Sequence, residues 1–226
     1  MADIHDKDVL IGQIRVVFGE NPYPGDAYLQ GSFDGEEPFE EVGAFKGMQR
    51  WQEIPASFLD AHYSAVSFFS MAGLRFFLPA YLVADLKNEL QTADPLFILT
   101  HGFSDQKVDE TIRGRTFQIE IGRSGFINPR RFGAASFYDY NRYRLSVFTR
   151  EEAAVIVAYL EFKRQVVSSD REKQAIQDAL STFWLERAQS APTMQDLSRY
   201  LREQEGCSGE SRQGLFLLTL FTFTRI

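Results

Sequence analysis

The chain has one cysteine, Cys207, and only three histidines, His5, His62 and His101, in 226 residues. A single thiol permits no disulfide within the chain and no thiolate metal cluster. No two histidines share ligand spacing on one helix, and neither H-E-x-x-H nor C-x-x-C occurs. No metal site and no cofactor are expected. Phosphate-cradling loops are missing as well: without G-x-x-x-x-G-K-[ST] or G-x-G-x-x-G, use of ATP or NAD has no support. Gly122-Arg123-Ser124-Gly125 is not a nucleophile elbow, because its second glycine comes one residue early. Cys207 has Glu205 and Glu210 nearby, and neighbouring anions raise a thiol pKa. No catalytic residue is assigned. No run approaches the ~18–20 apolar residues of a membrane span. The nearest, residues 215–223, is short and is broken by Thr219 and Thr222. The start, MADIHDKDVL, has neither a basic n-region nor an apolar h-region, so the cytoplasm is the expected location.

Aromatic side chains are abundant: 21 Phe, 9 Tyr and 2 Trp, enough to fill a sizeable core. Hydrophobic residues at 44% and charged residues at 24% exclude collagen-like, coiled-coil and disordered classes. The net charge is −7, and it is unevenly spread. Residues 1–112 carry 7 basic and 18 acidic side chains, net −11; residues 113–226 carry 17 and 13, net +4. Residues 113–150 hold 8 Arg, no Lys, and only Glu120 and Asp139 as acids.

Periodicity predicts a mainly α fold with a small β element, α+β being the alternative, in one compact domain over 1–206. Leu10, Ile14, Val17 and Phe18 form one helical stripe over 5–18, ended by Asn21-Pro22-Tyr23-Pro24-Gly25. A short helix is expected over about 38–46. Pro55 suits a helix N1 position, and Ser70 can cap a helix over 71–77. Pro79 predicts a kink, or a fresh helix from 79 to about 91 with Leu78, Leu82 and Leu86 on one face. Residues 116–121 alternate as a strand does, and a strand pair is expected around 112–121 with 126 or with 137–148. The Arg/aromatic segment 113–150 reads as an insertion. Thr149-Arg150-Glu151-Glu152 is a capping box ahead of the stripe Val155, Tyr159, Phe162 and Val166. Ser168-Ser169-Asp170 starts another helix, with Ile176, Ala179, Leu180, Phe183 and Trp184 inward. A third follows Pro192-Thr193, with Met194, Leu197 and Leu201 inward and Gly206 as its stop. Residues 207–226 read as an apolar tail, an added strand.

Trp51-x-x-Ile54-Pro55, the run Arg75-Phe76-Phe77-Leu78-Pro79-Ala80-Tyr81-Leu82, and the late pair Ile156-x-x-Tyr159-Leu160 and Ala179-x-x-x-Phe183-Trp184 carry a resemblance. They resemble a family of small bacterial domains of unknown function with a tryptophan–proline box, an FLPAYL-like box and a late helical pair. The similarity covers about 30–90 and 145–187. It implies a bacterial cytosolic protein and supplies no catalytic residues.

Two charged sets are the candidate sites. Asp34, Glu36, Glu37, Glu40 and Glu41 could receive a basic protein partner, as an immunity-type protein masks a toxin; a solvated acidic loop is the plainer alternative. Arg123, Arg130, Arg131 and Arg142, interleaved with Phe and Tyr, could bind an anion or single-stranded nucleic acid. Pairing with the chain's own carboxylates is the plainer alternative there. Nucleic acid is the disfavoured partner, because a net charge of −7 repels a polyanion. A hydrolase working through scattered carboxylates with His62 or His101 is the enzymatic alternative. The expected role is a non-enzymatic interaction module.

Overall fold

The computed structural model describes residues 6–105, 107–120 and 127–207. The first helix, α1 (Lys7–Phe18), is capped by Asp6, whose carboxylate accepts the Asp8 N–H at 2.9 Å. Leu10, Ile14 and Phe18 of the predicted stripe are buried, Val17 is half-buried, and Ile11 joins the buried face. Short helices follow: α2 (Glu37–Gly43), α3 (Ala56–Ala61) and α4 (Ala65–Phe68). Pro55 stands one position earlier than expected, as the cap residue of α3.

The central element is α5 (Met71–Leu86), with the Ser70 hydroxyl capping the Gly73 N–H. It runs unbroken through Pro79 where a kink or a second helix is expected. Thirteen of its residues are buried, so it is enclosed on all sides. An interior proline costs about 3 kcal/mol. Burying Leu74, Phe77, Leu78 and Leu82, each 0% exposed, contributes at most about 6–12 kcal/mol. Packing therefore outweighs the missing hydrogen bond. A Cβ on Gly73 would stand 2.7 Å from the Leu29 carbonyl oxygen, so only glycine lets the preceding strand-like segment lie on α5. That segment bonds the start of the helix, with the Ser70 N–H on the Leu29 carbonyl at 2.7 Å.

After α6 (Pro95–Thr100) comes an antiparallel hairpin, β1 (Lys107–Ile112) and β2 (Arg115–Glu120). Ile112 pairs with Arg115 across a two-residue turn, and Arg113 (φ 51°) and Gly114 (φ 76°) are both left-handed, as a type I′ turn demands. The partner of β2 is the segment before it. Residues 137–148 are not a strand: they hold α8 (Phe137–Leu145), capped by Ser136 and preceded by the short α7 (Pro129–Phe132). Phe126 lies outside the described residues.

The long α9 (Arg150–Val166) opens on the predicted capping box. Val155, Ile156, Tyr159 and Leu160 are buried, but Val166 is 58% exposed because it falls in the last turn, beyond the core. Then follow α10 (Asp170–Ala179), a wide π-type turn over Leu180–Trp184, and α11 (Leu185–Ser190). All five residues of the predicted stripe from Ile176 to Trp184 are buried. The Trp184 indole N–H reaches the Leu99 carbonyl of α6 at 2.9 Å. The last helix, α12 (Met194–Cys207), continues through Gly206, where a stop is expected. Residues 208–226, the expected apolar tail, lie outside the described residues.

α1 and α5 pack together, α9 covers α1, and α10 and α11 close over α9. One continuous core runs from Leu10 to Trp184. The fold is mainly α with a small β element, as predicted. No helix among the described residues is long and apolar enough to cross a membrane.

Candidate functional site

An ion pair invisible in the sequence sits in the core. Arg75 on α5 and Glu152 on α9 are 9% and 0% exposed. Arg75 Nε lies 3.0 and 2.9 Å from the two Glu152 carboxylate oxygens. Asn21 donates to the same carboxylate at 2.6 Å, and the Thr149 N–H does so at 2.8 Å. Arg75 also donates to the Asn21 side-chain amide oxygen (3.3 Å) and to Met194 Sδ (2.9 Å). The Glu of the capping box thus does two jobs: it satisfies the helix end and balances a buried guanidinium. The arrangement ties α1's exit, α5, α9 and α12 together and faces no cavity wide enough for a substrate among those described below.

The acidic set divides by exposure. Pro38 seats the first turn of α2, leaving Glu36, Glu37 and Glu40 exposed around it. Between them stand two exposed phenylalanines, Phe33 (68%) and Phe39 (52%), whose rings meet edge to face at 6.0 Å. Glu41 turns inward: its Oε1 lies 3.6 Å from His62 Nδ1, and its buried Oε2 has no hydrogen-bond partner among the described residues. His62 in turn leans on the Phe58 ring at 4.7 Å. Asp34 lies at the rim of a cleft.

That cleft, about 850 Å3, opens between the 31–34 loop, α6, α7 and α8. Phe97 and His101 stack at 4.6 Å on one wall, and His101 meets Phe137 edge to face at 4.9 Å. Phe132 stands 5.7 Å from both Phe137 and Tyr140. Burial pushes the His101 imidazole below its ordinary pKa. Asn141 donates to the His101 carbonyl at 2.8 Å, and Arg144 donates to the Val66 carbonyl at 2.5 Å. Gly102, at φ 82°, lets α6 turn away here; a Cβ would stand 2.9 Å from both the Asn141 side chain and the Phe137 carbonyl oxygen.

The predicted arginines do not converge. Arg130 is exposed and lines the cleft. Arg131 follows it in α7, and Arg123 lies outside the described residues. Arg142 points elsewhere, 5.3 Å over the Tyr138 ring, beside a separate cavity of about 300 Å3 with Asp139 and Arg187. His101, a candidate only in the enzymatic alternative, lines the cleft, and Asn141 and Arg144 join it there without having been candidate site residues. The signal was present: Phe137, Tyr140, Asn141 and Arg144 fall at i, i+3, i+4 and i+7, one helical face. Reading 137–148 as a strand scattered them over two faces.

The histidines sit apart chemically. His101 shares the large cleft with one carboxylate, Asp34, and touches a smaller cavity of about 340 Å3 with Asp94 and Glu172. The Asp94 carboxylate is engaged in capping the Phe97 N–H at 2.9 Å. His62 does not line either cavity. Among the described residues no three His, Cys, Asp or Glu side chains are grouped to hold a metal ion.

The fold and its surfaces define a helical protein with a hairpin, an acidic aromatic ridge and an aromatic cleft. Residues 6–114 match the model of a family of unknown function (DUF6714). The match takes in the Trp51 and FLPAYL-like boxes and stops before the late helical pair. No curated protein and no solved structure matches the chain.

Proposed function

We propose that the chain is a non-enzymatic bacterial interaction module of the immunity type, acting in the cytoplasm and holding a basic protein partner against residues 33–41. The observation that carries this reading is the exposed Phe33–Phe39 pair set among Glu36, Glu37 and Glu40. Aromatic anchors inside a charged rim are how specific interfaces divide their labour: the rings supply desolvated area and the rim supplies encounter rate. The acidic excess of residues 1–112 extends the field that would steer a cationic surface inward.

The test is co-expression with a basic protein encoded beside this one, followed by association kinetics. The on-rate should fall steeply between low and physiological salt. Glu36→Gln with Glu37→Gln and Glu40→Gln should slow association, whereas Phe33→Ala with Phe39→Ala should speed dissociation. Salt-insensitive association, or a complex indifferent to both variants, overturns the proposal.

A further inference from the structure

Two arginines of this fold are equally hidden and differently served. Arg75, 9% exposed, has the Glu152 carboxylate at 2.9 Å. Arg144, 7% exposed, has no carboxylate: its hydrogen bond to the Val66 carbonyl is the single polar contact it makes among the described residues. Burial lowers its pKa, with the Tyr140 hydroxyl side opposing, yet a guanidinium stays protonated at neutral pH. A largely buried charge without a counter-ion is costly, and no protein acceptor other than the Val66 carbonyl meets this guanidinium among the described residues. Arg144 lines the aromatic cleft.

We infer that the cleft binds a small aromatic carboxylate, its anionic group on Arg144 and its ring among the cleft's aromatic side chains. The fork of N–H groups on a guanidinium matches a carboxylate's two oxygens. Phe97, His101, Phe137 and Tyr140 all line the cleft, and His101 links Phe97 to Phe137 by ring contacts at 4.6 and 4.9 Å. Offset and edge-to-face packing against a flat ligand extends contacts these side chains already make with one another. The volume, about 850 Å3, falls within the range of small-molecule sites. Charge number selects among anions. Arg130 is exposed at the mouth, Asp34 stands at the rim, and His101 is held toward its neutral form. One buried cation suits a single negative charge, and a phosphate chain would meet too few donors. This site is separate from the ridge of the proposed interaction surface, so either reading can fail alone.

Calorimetric titration of the full chain with 2-naphthoate at low salt tests the inference. Three probes separate its parts: 2-naphthamide keeps the ring and loses the charge, acetate keeps the charge and loses the ring, and adenosine monophosphate substitutes a phosphate. Naphthoate should saturate and bind roughly tenfold or more tighter than either the amide or acetate. Arg144→Gln should abolish that preference. Tyr140→Ala leaves the Val66 hydrogen bond in place and should weaken naphthoate several-fold, which keeps the test decisive if Arg144→Gln does not fold. Equal affinity for naphthoate and naphthamide, tighter binding of the nucleotide, no saturable binding, or an unaltered Tyr140→Ala protein overturns it.

Discussion

Tyr81 carries a fully buried ring on α5, and its hydroxyl finds no hydrogen-bond partner among the described residues. Burial, with Glu41 and Asp60 adding to it, drives its pKa far above the ordinary tyrosine value, so the group stays protonated. An orphaned buried donor costs about 1–3 kcal/mol. Tyr81→Phe keeps the ring and removes the orphan, and should raise stability by about 1 kcal/mol, a melting-temperature gain of roughly 2–4 °C for a chain of this size. Calorimetry reads it directly; a fall in melting temperature would mean the hydroxyl is satisfied. Glu152 is the opposite case. Glu152→Ala strands Arg75 and also removes one of the two capping-box hydrogen bonds, so a loss of about 3–5 kcal/mol is expected in urea unfolding. Replacing both partners by apolar side chains of similar volume should recover much of that loss.

Among the elements, legibility followed the relation between local signal and packing. The capping box of α9 and the stripe from Ile176 to Trp184 were readable because cap chemistry and burial point the same way. Pro79 was misread because its local cost is outweighed by enclosure that no single helix announces. The Arg/Phe/Tyr run of α8 was misread because aromatic residues are common in strands, while its helical face becomes plain only once Ser136 is recognised as a cap. Gly102, just past α6, packs closely against α8. Gly102→Ala combines a left-handed φ with a 2.9 Å approach to Asn141 and Phe137, so it should destabilise by at least about 1 kcal/mol and weaken ligand binding in the cleft together. Normal melting with normal binding would show that α8 yields there.

For the molecule as a whole, pH dependence follows from groups held away from their ordinary values. Asp26 is held low by the Tyr23 hydroxyl and the Gly47 N–H, and Asp196 by the Thr193 hydroxyl and N–H. Partial burial raises Asp60, but the N–H groups of Ala93, Thr92 and Gln91 outweigh it and leave the carboxyl low. Depressed carboxyls add stability above the unfolded value near ~3.9 and lose it as pH falls through their folded pKa. His101 is depressed too, so its contribution is present above the unfolded value near ~6.5 and declines as pH drops below it. Unfolding free energy should thus decline in two stages on acidification. His101→Phe should flatten the upper stage, and Asp60→Asn should diminish the lower; a single stage in the wild type would contradict the assignment. The candidate surfaces were only half legible. The acids at 36, 37 and 40 were found from charge alone, but Phe33 and Phe39 gained meaning only through exposure, and Arg144 only through the carboxylate it lacks.

The bond between Arg75 and Glu152 crosses the point where the family match ends. So do the Tyr159 hydroxyl on Asp85 at 2.7 Å and the Trp184 indole on Leu99. A recombinant piece comprising residues 6–114 would therefore leave bare the face of α1 that α9 covers, along with the Arg75 and Asp85 side chains of α5. Such a fragment should aggregate or stay molten on its own and regain order when residues 145–207 are supplied as a separate polypeptide.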